Sequence, residues 1–288
     1  MQLYMDSNMV FIPDGKPIQD GLERTTHMGI GAHQDDLEIM ALHGILECFQ
    51  QEDQWFCGVT VTDGRGSPRD DLYKDFSDEE MRVVRRGEQN KAAIVGEYSA
   101  QVQLDHPSTH AKGENKAAVI SDLVYLINAA KPSVIYTHNL ADKHDTHVGV
   151  ALRVIEALRQ LDPAIHPQKV FGCEVWRDLD WMVDEDKITF DVSAHENLQA
   201  ALLGVFDSQI SGGKRYDLAS MGRRRANATY FASHGTDIVT GMIYGIDLTP
   251  LVKNPDLDIK SFVDGFVQRT SEDIQTRLES LQVSSQLE

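Results

Sequence analysis

A histidine and two aspartates stand close together at His33, Asp35 and Asp36, directly after the short apolar run at residues 26–32. The run is predicted to be a β-strand, and the residues after the aspartates are predicted to form a helix over residues 37–50. In an open α/β sheet, side chains at a strand-to-helix turn face the crevice in which ligands bind. These residue types at this position predict acid–base or metal chemistry.

A second cluster of the same residue types follows a strand predicted at residues 133–137. Residues 137–147 contain three histidines and two aspartates, a high density for a chain with 11 histidines in 288 residues. They are His138, Asp142, His144, Asp145 and His147. Because the carboxyl ends of parallel strands meet at one edge of a sheet, we expect the two clusters to converge.

A catalytic zinc site needs only three protein ligands, because the fourth position is left to water. His33, Asp36 and His147 can supply two imidazole nitrogens and one carboxylate oxygen. The metal would lower the pKa of its water to about 7 and polarise a carbonyl oxygen. Asp35 is then free to act as general base, and a protonated His144 can stabilise the oxyanion. In a simpler interpretation, the aspartates cap a helix and the second cluster is a solvated loop.

Strands and helices alternate along most of the chain, which is typical of βαβ units and of a mostly parallel, doubly wound sheet. Strands are predicted at residues 26–32, 55–62, 101–104, 133–137, 170–176 and, at an edge, 188–192. Helices are predicted at residues 37–50, 77–95, 114–130, 147–161, 196–206, 218–231 and 259–281. The second of these helices opens with a capping box, Ser77-Asp-Glu-Glu80.

Charge and composition argue against several classes of partner. A net charge of −18 disfavours nucleic acid and anionic membrane surfaces, and a small or neutral substrate fits better. The three cysteines form no pattern, which indicates neither a disulfide scaffold nor a cysteine-based zinc site and favours a reducing compartment. No apolar run is long enough for a membrane span, and the N-terminus is too polar for a signal peptide, so we expect a cytoplasmic protein.

Gly29-Ile-Gly31 follows a strand, as in the G-x-G-x-x-G fingerprint of dinucleotide-binding proteins. The third glycine of that pattern would fall at Gln34, whose side chain would block the close approach of a pyrophosphate. A nicotinamide or flavin dinucleotide is therefore not expected.

The motif Ala-His33-Gln-Asp35-Asp36 resembles the Ala-His-Pro-Asp-Asp motif of the PIG-L/LmbE-like zinc-dependent de-N-acetylases. That family removes acetyl groups from N-acetylglucosamine-type sugars and their conjugates. Further segments resemble family motifs, and the resemblance covers residues of about 27–235. These segments are Thr62-Asp-Gly-Arg-Gly, Arg85-Arg-Gly-Glu88 with Ala92-Ala93, Thr137-His138 through Asp142 and His144 to His147, and Ser208-Gln209.

The resemblance assigns a role to each residue of the two clusters. It implies zinc on His33, Asp36 and His147, with Asp35 as general base and His144 as the acid that stabilises the oxyanion. These roles agree with those inferred above from the chemistry of the side chains.

Substrate contacts are predicted from the same resemblance at Arg85 and, on weaker grounds, at Arg65, Arg69 and Asp142. The alternative for Arg85 is a helix-surface arginine paired with a nearby glutamate, either Glu88 or Glu80.

Three positions depart from the family pattern. Gln34 replaces a proline, and Leu37-Glu38 stands where the family commonly has the glutamate first. Thr146 replaces an aspartate beside the last histidine. If that aspartate normally keeps His144 protonated, Asp142 or Asp145 must do so in this chain.

We therefore predict an α/β protein with a Rossmann-like three-layer sandwich and a mostly parallel sheet. Residues 1–25 are predicted to form an N-terminal arm and residues 26–235 the catalytic domain. Residues 236–288 are predicted to pack on that domain or to extend it. The resemblance also implies a homo-oligomer.

The predicted function is that of a zinc-dependent hydrolase of linear amide C–N bonds, with one divalent ion per chain. It would remove an N-acetyl group from an N-acetylglucosamine-type sugar or conjugate, with the zinc water attacking the carbonyl and Asp35 as general base. Two alternatives stay open. One is a metal-dependent hydrolase of another bond, such as a phosphoester, and the other is a catalytically weak carbohydrate-binding homologue.

Overall fold

The computed structural model describes residues 3–284. The strands are β1 (Met9–Phe11), β2 (His27–Gly31), β3 (Phe56–Thr62), β4 (Ala100–His106), β5 (Val134–His138), β6 (Lys169–Cys173), β7 (Ile188–Asp191) and β8 (Met242–Asp247). The helices are α1 (Ile18–Glu23), α2 (Asp36–Met40), α3 (Leu42–Cys48), α4 (Asp78–Val95), α5 (Ser108–Lys112), α6 (Lys116–Ala130), α7 (Asp145–Leu158), α8 (Glu196–Gly204), α9 (Asp207–Ile210), α10 (Tyr216–Tyr230), α11 (Thr249–Lys253) and α12 (Ile259–Ser284).

All eight strands belong to one sheet with the order β1-β4-β3-β2-β5-β6-β8-β7. The five central strands, β4, β3, β2, β5 and β6, run parallel to one another. The edge strands β1 and β7, and β8 between β6 and β7, pair antiparallel with their neighbours. The chain continues from β2 to β3 on one side, while β5 lies on the other side of β2. The boundary between β2 and β5 is therefore a topological switch point, where open α/β sheets bind ligands.

Helices cover both faces of the sheet, because consecutive strand residues point to opposite sides. Ile135 on β5 belongs to the apolar cluster that includes α6 and α7, whereas its neighbour Tyr136 belongs to the cluster that includes α2, α3 and α8. The predicted α/β class and mostly parallel sheet are confirmed by this arrangement.

The two glycines of β2 allow the following helices to pack close to the strand. A Cβ on Gly29 would lie 3.0 Å from Cδ2 of Leu37 on α2 and 2.6 Å from the Phe56 ring on β3, and one on Gly31 would lie 3.1 Å from Cβ of Asp36. The Gly-x-Gly pattern thus serves helix packing. The predicted helix at residues 37–50 is in fact two helices, α2 and α3, which meet at Ala41.

The capping box at the start of α4 is present, with Ser77 and Glu80 each accepting the other's backbone N–H. Strand β8 was not predicted from the sequence, and it inserts between β6 and β7. In the predicted N-terminal arm, β1 pairs antiparallel with β4.

The division of the chain at residues 25 and 235 stays a prediction. Its outermost parts, residues 1–2 and 285–288, lie outside the described residues. Within residues 3–284, none of the helices combines the length and the apolar character that crossing a bilayer requires.

The close packing at Gly29 is testable by a pair of glycine substitutions. Gly29→Ala should lower the free energy of unfolding by about 1–3 kcal/mol, because the new methyl group meets Phe56 and Leu37. Gly87→Ala is the matched control: it adds a methyl group at an exposed position of α4 with nothing within 4 Å, so it should raise the free energy of unfolding by about 0.5–1 kcal/mol. Urea unfolding followed by circular dichroism measures both, and equal effects would contradict the packing argument.

Candidate metal centre and cleft

A cleft of about 610 Å³ opens beyond the carboxyl ends of the central strands. It lies where the turn after β2 meets the loop after β3, the start of α5 and the turn before α7. Its remaining wall comes from residues 175–176, after β6, and residues 209–216. The site therefore occupies the switch point between β2 and β5.

The three predicted metal ligands lie together at the floor of this cleft. Their ligand atoms are all within 4.8 Å of one another. Nδ1 of His33 is 3.2 Å from Nε2 of His147, although 114 residues separate the two histidines. The Asp36 carboxylate lies 3.4 Å from each of these nitrogens. His33 and Asp36 line the cleft, so an ion held here would be open to a small molecule.

The charge states of these groups suit a divalent cation. Burial lowers the pKa of His33 to about 4, so its imidazole is neutral near pH 7 and its lone pair is free to bind a metal. Burial alone would raise the pKa of Asp36, but the imidazoles of His147 and His138 outweigh it and hold that pKa well below its usual value. Burial opposes the change, but the carboxylates of Asp36 and Asp142 raise the pKa of His147, so a metal that binds there displaces the proton of this imidazole. Two imidazoles and one carboxylate are the donor set of a catalytic zinc site.

Asp142 supports the centre from behind His147. Its Oδ2 lies 3.5 Å from Nδ1 of His147, and its carboxylate accepts the backbone N–H groups of His144 at 2.9 Å and Trp176 at 3.1 Å. A carboxylate on the far nitrogen of a ligating histidine fixes the orientation of the ring. Asp142, predicted from the sequence as a substrate contact, is thus placed behind a ligand and away from the cleft wall.

A second group of possible ligands, His138, Asp142 and His147, shares one histidine with the first. Nε2 of His138 already accepts the backbone N–H of Ala32 at 2.9 Å, and its ring stacks on His147 with centroids 3.9 Å apart. Neither His138 nor Asp142 lines the cleft. The first group is therefore the one that a substrate could reach. His138, which belongs to the second sequence cluster but was assigned no role there, packs against His147.

Asp35 occupies a strained position beside the ligands. Its φ of 93° is in the left-handed region, which non-glycine residues adopt rarely and which often marks functional sites. Its backbone N–H donates to Oε1 of Gln89 at 3.2 Å. Burial raises the pKa of the Asp35 carboxyl well above its usual value, against the effect of the Arg85 guanidinium 3.5 Å away, while Asp36 and Glu38 add to the rise. A carboxyl group with a raised pKa in a cleft is a candidate for proton transfer.

Arg85 reaches into the site from α4 and is only 3% exposed. It donates hydrogen bonds to Ser67 Oγ and to the backbone oxygen of Gln34, so it is not the helix-surface arginine of the alternative interpretation. Glu88 instead accepts from the backbone N–H and the hydroxyl of Ser208, at 2.7 and 2.6 Å. Two segments that resemble family motifs thus contact each other across 120 residues.

The other two predicted arginines lie further from the reacting centre. Arg65 lines the cleft and forms an ion pair with Asp63 at 2.6 Å. Arg69 is outside the cleft wall, where it bonds to the backbone oxygen of Arg65 and to Asp78.

His144 lines the cleft, but the structure gives its ring no acidic partner. No carboxylate oxygen of residues 3–284 lies within 4.0 Å of its imidazole nitrogens, and Nδ1 has no hydrogen-bond partner in that range. Burial and the neighbouring His147 lower the pKa of His144. Asp142 holds the backbone of His144 and not its ring, so neither it nor Asp145 takes the place of the aspartate that Thr146 replaces.

Two aromatic side chains complete the wall and were not predicted as site residues. Trp176 stacks on His144 with centroids 6.3 Å apart, and Tyr216 meets Trp176 edge-on at 5.9 Å. Trp176 is the last residue of the strand predicted at residues 170–176, and β6 lies beside β5 in the sheet, so its place at a strand end was a signal for the same edge of the sheet.

Residues 28–158 match the model of a family described as PIG-L, GlcNAc-PI de-N-acetylase. Over this segment the chain is similar to the PIG-L family. The matched segment contains all three residues of the candidate metal centre, and the resemblance stated from the sequence is confirmed. A comparison with curated protein sequences gives no significant match.

Solved structures of similar fold carry different activities in their names. GalB, a 4-carboxy-2-hydroxymuconate hydratase from Pseudomonas putida KT2440, is similar with a TM-score of 0.60 and 14% identity, over 78% of this chain and 95% of that one. An N,N'-diacetylchitobiose deacetylase from Pyrococcus horikoshii has a TM-score of 0.56 and 15% identity, over 77% of this chain and 83% of that one. The A40926 pseudoaglycone deacetylase Dbv21 has a TM-score of 0.54 and 16% identity, over 77% of this chain and 96% of that one. At such identities the likeness shows a common fold and does not decide the reaction.

The support of His147 by Asp142 predicts a measurable loss of metal affinity. In the wild type the backbone N–H groups of His144 and Trp176 donate to the Asp142 carboxylate, and Asp142→Asn replaces that carboxylate with an amide. The affinity for zinc should therefore fall about 10- to 100-fold. Asp145→Asn, an exposed aspartate two residues before the ligand, should leave the affinity within about threefold of wild type. Competition with a chelating dye for Zn²⁺ measures both variants, and the same loss in each would contradict the assignment.

Proposed function

We propose that the chain is a zinc-dependent hydrolase that removes an N-acetyl or other amide-linked acyl group from an N-acetylglucosamine-type sugar or conjugate. The observation that carries the proposal is the group His33, Asp36 and His147 at the floor of a cleft, beside a buried carboxyl at Asp35. The family's description and the two deacetylases of similar fold support the choice of an amide bond.

Zinc fits the donor set of two imidazole nitrogens and one carboxylate oxygen. When bound, it supplies a water whose pKa is lowered to about 7 and a positive charge that polarises the carbonyl. Asp142 holds the ring of His147 toward such an ion, and Asp36 is ionised and ready to bind it.

Asp35 is positioned to move the proton of the reaction. As the C–O bond to the carbonyl carbon forms, its carboxylate takes the proton of the attacking water. When the C–N bond breaks, the same carboxyl gives that proton to the leaving nitrogen, so that a carboxylate such as acetate and an amine are released. Arg85, 3.5 Å from Asp35 and fixed by Ser67 and Gln34, orients the carboxylate for both steps.

His144 supplies a hydrogen-bond donor on the cleft side of the centre. Because its pKa is lowered, we assign it the role of a neutral N–H donor to the oxyanion, and not that of a charged acid. Trp176 and Tyr216 give the cleft an aromatic wall against which the ring of a sugar can pack.

Phosphoester hydrolysis by a metal pair has less support. The two candidate ligand groups share His147, and His138 of the second group already accepts the backbone N–H of Ala32. The residues therefore favour one ion, whereas paired-metal sites hold two ions about 3.5 to 4 Å apart.

Asp35→Asn separates metal binding from chemistry. The variant should still bind one zinc ion, because Asp35 is not in the ligand group, while kcat for acetate release falls by about 10²- to 10⁴-fold. Asp75→Asn, an exposed aspartate of the loop after β3, is the control and should keep wild-type activity. Acetate and free amine are measured with a panel of N-acetylated sugars.

Full activity of the Asp35 variant would refute the assigned base. Hydration of an unsaturated dicarboxylic acid by the zinc-loaded wild type, with no acetate released from any sugar of the panel, would overturn the proposed function in favour of a hydratase.

A further inference from the structure

The cleft is richer in positive charge than the chain as a whole. Its wall contains four cationic and three anionic side chains, whereas the full sequence has 27 lysines and arginines against 45 acidic residues. The cations are Arg65, Arg85, Lys112 and Lys214, and the anions are Asp35, Asp36 and Asp63. A divalent metal on the candidate ligands would add two further positive charges. The net charge of the cleft is then positive, whereas that of the whole molecule is negative.

The three carboxylates of the wall already have partners. Asp35 faces Arg85, Asp63 is paired with Arg65, and Asp36 belongs to the metal group. Neither arginine is therefore free of a protein carboxylate.

Lys214 differs from these arginines. No carboxylate oxygen lies within 4.0 Å of its ammonium group in the part of the chain that the structure describes. The side chain is partly buried, and Nζ lies 5.2 Å from the centre of the Trp176 ring. Because Trp176 also stacks on His144, the aromatic ring links this cation to the reacting end of the cleft. Contact with a tryptophan face stabilises the ammonium group without neutralising it.

Lys112, at the end of α5, adds a second cation to the wall. It too lies more than 4.0 Å from any carboxylate oxygen of residues 3–284. It is exposed, so its contribution is to the electrostatic field of the cleft and not to a fixed contact.

We propose that Lys214, held against Trp176 in the wall of the cleft, binds an anionic group of the substrate, a carboxylate or a phosphate. This inference rests on the proposed function and narrows it to acidic N-acylated sugars or conjugates. The net charge of the sequence had favoured a small or neutral substrate, but the charge that a substrate meets is that of the cleft. An acidic surface repels anions from other sites, and a cleft of opposite sign concentrates them at this one.

Paired substrates test this assignment. The zinc-loaded enzyme is assayed for acetate release from N-acetylglucosamine, from its 6-phosphate and from N-acetylmuramic acid, which carries a carboxylate. We expect kcat/KM for at least one anionic compound to exceed that for the neutral sugar by about 10-fold or more, because hydrogen bonds to charged groups carry about that much selectivity. Preference between the two anionic compounds identifies the phosphate or the carboxylate.

Substitution of the lysine should remove the preference. In Lys214→Met the ratio of kcat/KM between the anionic and the neutral substrate should fall about 10-fold, and Lys214→Arg should restore most of it. Lys253→Met, an exposed lysine on α11, is the control and should keep the wild-type ratio. A raised salt concentration should reduce the preference of the wild type. An unchanged ratio in Lys214→Met would overturn the inference.

Binding measurements distinguish failure of this inference from failure of the proposed function. The same three compounds are titrated calorimetrically into zinc-loaded Asp35→Asn with and without Lys214→Met. Tighter binding of an anionic compound that depends on Lys214, with no acetate release by the wild type, would support the anion subsite and overturn the reaction. Equal release of acetate from neutral and anionic sugars would support the reaction and overturn the subsite.

Discussion

The site depends on the pairing of two central parallel strands, β2 and β5, whose carboxyl ends leave the sheet side by side. The pairing runs from His27 opposite Val134 to Gly29 opposite Tyr136. Beyond it, the Thr137 hydroxyl donates to the Ile30 oxygen at 3.0 Å, and the backbone N–H of Ala32 donates to His138. These bonds tie the two chain segments together before either turns away into its helix. The candidate ligands on the two turns are close because these bonds hold the strand ends together.

A second constraint is that many polar groups at this edge are buried and must have partners. Glu38, fully buried on α2, accepts from Tyr98 at 2.8 Å and from Gln89 at 2.9 Å, and burial raises the pKa of its carboxyl to about 7. The same Gln89 accepts the backbone N–H of Asp35. From α10, Arg224 donates to the backbone oxygen of Glu38 at 2.7 Å. A buried network of this kind rigidifies the turn that carries the candidate base, because each lost bond would leave a costly unpaired group.

Much of this arrangement could be predicted from the sequence, and the failures have physical reasons. The candidate ligand group, His33, Asp36 and His147, and its two strand ends were visible because histidines and aspartates were dense at places where apolar runs stop. Strand β8 was missed because its residues are buried on both faces, apart from its last, so they show no alternation. Gln89 lies within a helix and has no local signal. The position of Asp142 behind His147, and that of Lys214 on Trp176, depend on segments that approach one another only in the folded chain.

We infer that the turns after β2 and β5 hold one metal ion between them. X-ray data collected at the zinc absorption edge, from crystals grown with one equivalent of Zn²⁺ per chain, would locate this ion. We expect a single anomalous peak at about 2.0–2.2 Å from Nδ1 of His33, a carboxylate oxygen of Asp36 and Nε2 of His147. A peak on His138, Asp142 and His147 instead, or a folded chain with no zinc at this edge of the sheet, would contradict it.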